Sequence, residues 1–219
     1  MPSFIRMGLV LMMVGAVATA ILAATYEVTK EPIAEAKRQE ILKALRQVLP
    51  TGFTNQPDQD VINLTGERLN RDKTPVIFYR SRRDGVATGA AYMVTAPDGY
   101  SGNIEIMMGV TPESVVNGIQ VIAHAETPGL GDKIAGDKKD RLVWRGFFVG
   151  KTLDNVKWGV KKDNGDFDQF AGATITPRAV VKAVKKGLEF FVDNKDKIFA
   201  ETTPVETTPA ETTPAENTP

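Results

Sequence analysis

The hydrophobic pattern of this chain changes character along its length. From Met7 to Ala24, MGLVLMMVGAVATAILAA, only Thr19 interrupts an uncharged apolar run of 18 residues. That is close to the ~20 residues a helix needs to cross a bilayer. Ile41, Leu42, Leu45, Val48 and Leu49 then recur at helical spacing up to Pro50, which predicts one face of a helix leading into the body. After an irregular polar stretch the period shortens. PVIFYR, VATGAAYMV, NIEIMMGV and GIQVIAHAE read as strands, separated by RRDG, APDGYSG and a Pro/Glu/Asn/Gly connection. VKWGV (156–160) reads as a further short strand, and DKKDRLVWRGFFVGKTL as helix or irregular cover. The helical period returns at the end. Val180, Val181, Val184, Leu188 and Phe191 form one stripe, and Lys182, Lys185 and Lys186 face out.

Strands joined by short Gly/Asp turns predict a mainly antiparallel sheet, and the helices around it make the class α+β. The organisation follows: a short N-terminus over 1–6, a transmembrane helix over 7–25 and a helical and irregular lead-in over 26–74. The folded domain covers 75–199 and a tail covers 200–219. Arg6 and the terminal amine precede the apolar run, which predicts a cytoplasmic N-terminus and an exported body. A cleaved signal peptide is the rival, because AVATA offers small residues for cleavage. The run continues through Ile21 and Leu22, so length favours a retained anchor. From Glu201 the chain reads ETTPVETTPAETTPAENTP, with proline at every fifth position. Such a composition predicts an extended, unpacked spacer.

Composition narrows the chemistry. Lys plus Arg and Asp plus Glu each number 27, for a net charge of zero, which gives no cue for nucleic acid. There is no cysteine and one histidine, His124. Disulfides, thiolate nucleophiles, iron–sulfur ligation, thiolate zinc and multi-histidine metal sites are thereby excluded. No metal site is predicted, and a redox role would need a cofactor held by other means.

Two stretches stand out. In FDQFAGATITPRAVVKAV (167–184), Pro177 suits the opening of a helix and Thr176 its N-cap, with Thr174 two residues earlier beside Gly172. An anion on Thr174 would meet the free N–H groups of that helix start. On the residues alone the plain reading is a loop and a cap. The second stretch is HAETPGLGDKI (124–134), where Pro128, Gly129 and Gly131 can turn backbone N–H groups toward a ligand. Glu126 and Thr127 stand at its mouth, although a tight surface turn explains the pattern equally well. It lacks the third glycine of a dinucleotide fingerprint, and Asp137 follows Gly136 where a P-loop requires lysine. DNGDFDQF lacks the glycine and terminal glutamate placement of a calcium loop. His124 reads either as a neighbour of that ligand loop or as a strand histidine with a satisfied hydrogen bond. Trp144, Phe147, Phe148 and Trp158 read as core or as a stacking surface.

TAPDGYSG, HAETPGLGDKI, VKKDNGDFDQF and AGATITPRAVV, in that order behind one N-terminal anchor, resemble the G subunit of the Rnf (Rsx) electron-transport complex. The related family is the C subunit of sodium-pumping NADH:quinone reductase. The resemblance covers most of the body but not the tail. It implies an FMN-binding domain outside the bacterial inner membrane, single-pass, with its bulk in the periplasm. It also implies FMN joined by a phosphoester to the last threonine of an Asp-x-x-Ser/Thr-Gly-Ala-Thr motif. That motif falls on Asp168, Gly172, Ala173 and Thr174, and Thr176 is the second-choice hydroxyl. The sequence departs at Ala171, where the family has a hydroxyl that bears on recognition by the flavin transferase. The same pattern places Glu126, Thr127, Pro128, Gly129, Leu130 and Gly131 in the flavin pocket. The implied role is an electron carrier within an ion-translocating oxidoreductase, partnered by the other subunits and by the transferase during maturation, without stand-alone turnover. A non-redox membrane-tethered scaffold, or an FMN-sensing module, is the alternative, and modification of Thr174 separates the two.

Overall fold

The computed structural model describes residues 2–65, 69 and 75–200. The C-terminal repeat therefore lies outside the described residues, as does part of the lead-in. Helix α1, Ser3–Val48, runs for 46 residues. The anchor and the lead-in helix, which the pattern suggested as separate pieces, are one element. Nothing between them is turn-forming, since Pro32 lies inside the helix and Thr25 and Thr29 donate their hydroxyls back to Ile21 and Thr25 carbonyls at 2.8 Å. The helix has the length and composition to cross a membrane, and its most apolar window is wholly unburied. It fits a single-pass membrane protein, with lipid as the solvent for that window.

Five strands follow in a meander: β1 Val61–Thr65, β2 Pro75–Arg83, β3 Val86–Ala96, β4 Ile104–Val110 and β5 Val116–Ala123. They lie side by side in sequence order, every pair antiparallel. Pattern reading misses β1, which sits in the stretch taken as irregular. Its residues alternate only between exposed and half-buried, so its apolar signal is weak. After β5 come a 3-10 turn at Gly131–Ile134, helix α2 (Lys139–Gly146) and helix α3 (Ile175–Phe199). VKWGV forms no strand, only an isolated bridge from Val160 to Phe167. Its Gly159 packs against the backbone of Gly165, and Trp158 donates to the Thr152 carbonyl at 3.0 Å. The segment is a knot of turns under α2.

The middle of the sheet is covered on both faces. On one face α3 packs its apolar stripe onto Phe78, Tyr92, Val94 and Met108. Gly187 permits the approach, because a Cβ there would lie 2.7 Å from Val94 Cγ1. The Tyr92 hydroxyl donates to the Gly187 carbonyl at 2.8 Å. On the other face the last turns of α1 set Ala44, Leu45, Val48 and Leu49 against Ala91 and Met107. Gly109 and Gly118 receive the Val48 backbone there, and Asn117 donates to its carbonyl at 2.8 Å. A helix that begins as an apolar span thus ends as a structural part of the domain. The far end of α3 is held by buried Arg80, which donates to the Ala200 carbonyl at 3.0 Å and pairs with Asp60.

Candidate functional site

The 124–134 and 167–184 stretches, far apart in sequence, meet at one end of the sheet. Phe170 to Ala173 is a four-residue turn closed by the Ala173 N–H donating to the Phe170 carbonyl at 3.0 Å. Gly172, its third residue, has φ +77°, the left-handed conformation glycine adopts without penalty. Thr174 follows, half-buried, at the position before the first turn of α3. Its carbonyl accepts the Arg178 N–H at 3.2 Å, but its hydroxyl makes no capping bond. The helix therefore starts two residues before Pro177 and not at it, because a proline within the first turn sacrifices no intrahelical bond.

Thr176 is not the cap. It lies inside that first turn, 1% exposed, and its hydroxyl donates to the Glu126 carboxylate. The other oxygen of Glu126 accepts the Ser101 N–H at 3.0 Å. Glu126 is itself 4% exposed. Gly131 lies beneath this pair, and a Cβ there would stand 2.6 Å from Glu126 Oε2 and 2.7 Å from Thr176 Oγ1. Glu126 thus ties three segments together: the β3–β4 turn, the loop after β5 and the start of α3. Thr127, Pro128, Gly129 and Leu130 are exposed on the outside of that loop, with Leu130 Cδ2 reaching Gly172. His124 is half-buried and its Nδ1 accepts the Glu126 N–H at 3.2 Å.

Beside the turn lies a cleft of about 240 Å³ lined by Asp140, Val143, Trp144, Phe147, Phe167, Asp168 and Phe170. An aromatic cluster of edge-on, tilted and stacked rings backs it. Trp144 lies 5.3 Å from both Phe148 and Phe170, and Trp158 lies 5.3 Å from Phe167. Of the four aromatics noted in the sequence, Trp144 and Phe147 line the cleft, while Phe148 and Trp158 pack behind it. The Trp144 indole N–H donates to the Asp168 carbonyl at 2.8 Å, which fixes the wall to the motif. Two arginines hold α2 in place. Arg141 pairs with Asp132 at 2.9 Å and donates to the Ala135 carbonyl at 2.8 Å. Arg145 is buried beside the Ile134 carbonyl, and that burial lowers its pKa, partly countered by Asp137. The Asp168 side chain is exposed and paired with Lys161 at 2.6 Å. Arg178, in the first turn of α3, makes a two-pronged pair with Asp163 at 2.6 and 2.9 Å.

Sequence reasoning did not single out Ser101, Asp140, Val143, Phe167 or Phe170. No short-range signal marks them, because the cleft exists only once α2 folds against the motif. Among the described residues no group of three acidic or histidine side chains is placed to hold a metal.

These features fit FMN. Among the described residues the Thr174 hydroxyl has no hydrogen-bond partner, and the Ile175 and Thr176 N–H groups precede the first intrahelical bonds, where phosphate is favoured. The aromatic cleft adjoins them. At about 240 Å³ it falls below the ~300–1,000 Å³ that encloses a whole ligand. An anchored helix carrying such a domain defines a class, the membrane-tethered FMN-binding domain proteins. Residues 99–189 match the family described as FMN-binding domain, and residues 1–48 the family described as RnfG N-terminal region. The chain is 41% identical to the G subunit of the ion-translocating oxidoreductase complex of Aliivibrio fischeri, over 91% of this chain and 95% of that protein. The corresponding G subunits of Vibrio cholerae and Pseudomonas aeruginosa are 39% and 41% identical, over 90% of this chain and 94% and 93% of theirs. The chain belongs to the family of G subunits of ion-translocating oxidoreductase complexes.

Proposed function

We propose that this chain is the electron-carrying subunit of a membrane-bound ion-translocating oxidoreductase, with FMN held as a phosphoester on Thr174. One observation carries the choice of residue. The hydroxyls of Thr174 and Thr176 lie two positions apart, but that of Thr176 is buried and bonded to Glu126, whereas that of Thr174 is half-buried and caps nothing. FMN supplies the redox chemistry when bound. The chain supplies position. Thr174 tethers the phosphate at the helix start, Gly172 shapes the turn beneath it, and Trp144, Phe147 and Phe170 offer the ring an apolar surface. Glu126 and Gly131 act by holding that helix start in place, and Thr127 to Leu130 form the exposed rim. Asp168 and Ala171 are both solvent-facing, as a motif read by a flavin transferase must be. Arg6 ahead of the apolar helix orients the domain to the periplasmic side of the inner membrane, where a covalent link prevents loss of the cofactor. The partners are the other subunits of the complex.

The test is flavin fluorescence of the denatured protein band from cells that supply a flavin transferase. Wild type and Thr176→Ser are expected to fluoresce and Thr174→Ala to be dark, since only a covalent link survives denaturation. A fluorescent Thr174→Ala band would move the attachment elsewhere. A dark wild type would leave the scaffold or sensor reading in its place.

A further inference from the structure

Two carboxylates border the aromatic cleft, and they are not equivalent. Asp168 is held by the Lys161 ammonium at 2.6 Å. Asp140, in the first turn of α2, has no ion pair among the described residues. The arginine beside it, Arg141, is turned onto Asp132. An acid in the first turn suits the helix dipole, but that role does not require it to line an apolar cleft. We propose that Asp140 sets the redox potential of the flavin. Its charge stands exposed at the rim of an apolar cleft, opposes the negative charge a flavin gains on reduction, and so holds the midpoint potential low. Charge near the ring is a recognised lever on flavin electronics. Lys161 offsets the matching charge of Asp168. The inference rests on the reading that the cleft receives the ring of an FMN attached at Thr174.

The experiment is a spectroelectrochemical titration of the full-length protein in detergent, loaded by a coexpressed flavin transferase. Wild type is compared with Asp140→Asn and Asp196→Asn. Asp196 lies 22 residues along α3 from Thr174, or about 30 Å at 1.5 Å per residue, and serves as the remote control. The midpoint potential is expected to rise in Asp140→Asn and to stay unchanged in Asp196→Asn. Added salt screens an exposed charge, so the wild-type potential is also expected to climb toward that of Asp140→Asn as salt increases. A purely structural role would not produce this dependence. An Asp140→Asn potential equal to wild type at low salt overturns the assignment. The denatured-band assay reads attachment separately. If Thr174→Ala stays fluorescent, the Thr174 reading falls while the Asp140 comparison is still made on the same flavin. Protein purified without any flavin overturns both.

Discussion

The Thr176 hydroxyl donates to the Glu126 carboxylate across 50 positions of sequence, and it does so from inside the first turn of a helix. One bond therefore joins the two stretches that looked most like a site. It also leaves Thr174, rather than Thr176, with the open hydroxyl.

Thr176→Val keeps the shape but removes the donor from a buried carboxylate. We expect a loss of about 1–3 kcal/mol in stability, the cost of an unsatisfied buried polar group, read by chemical denaturation. Thr176→Ser should restore most of it. Glu126→Ala should cost at least as much and also lower the flavin attachment proposed at Thr174, because the helix start loses its tie.

Gly172 tests backbone against space. A Cβ there would meet only Leu130 Cδ2 at 3.6 Å, an ordinary contact, so the penalty comes from φ +77°. Gly172→Ala should destabilise by about 1–2 kcal/mol. Gly172→Asn should cost less, because asparagine tolerates the left-handed region. If the two variants behave alike in thermal unfolding, backbone conformation is not the cause.

Gly109 bears on how the anchor joins the domain. A Cβ at this position would overlap the Val48 carbonyl and stand 3.0 Å from the Val48 Cβ. Gly109→Ala must lift the end of α1 from the sheet. The overpacking should cost about 1–3 kcal/mol, and limited proteolysis should cut sooner between α1 and β1. Protection equal to wild type would show that the sheet yields instead.

The Asp163–Arg178 pair gives a pH signature. The Arg178 guanidinium holds the Asp163 carboxyl below the usual carboxylate range and is itself shifted upward. A depressed folded-state pKa contributes stability above the unfolded value and loses it as pH falls through the folded one. The pair is exposed, so the effect is small and screened by salt. Asp163→Asn should therefore differ from wild type at neutral pH in low salt. The gap should close below the ordinary carboxylate range or in high salt. A gap that persists in acid would point to a packing role.

Much of the fold is legible in the sequence where a single element reports its own environment. The apolar run of α1, the alternation of β2 to β5 and the stripe of α3 are each periodic over enough residues to declare helix or strand. Strand β1 is not legible, because an edge strand buries too little to need strong alternation. VKWGV misleads for the opposite reason, since its apolar residues serve a cluster of turns and not a sheet face.

The motif around Thr174 is likewise visible in the chain, as is the loop from Glu126 to Gly131. What the sequence by itself determined is therefore the class, the apolar span and the two segments proposed to carry the chemistry, because these depend on local period and residue type. Tertiary structure alone decided which threonine is free, that Glu126 braces the helix start from within, and that α2 builds an aromatic cleft beside the motif with Asp140 at its edge. Each of these depends on contacts between segments tens of residues apart, and no short-range pattern encodes such contacts.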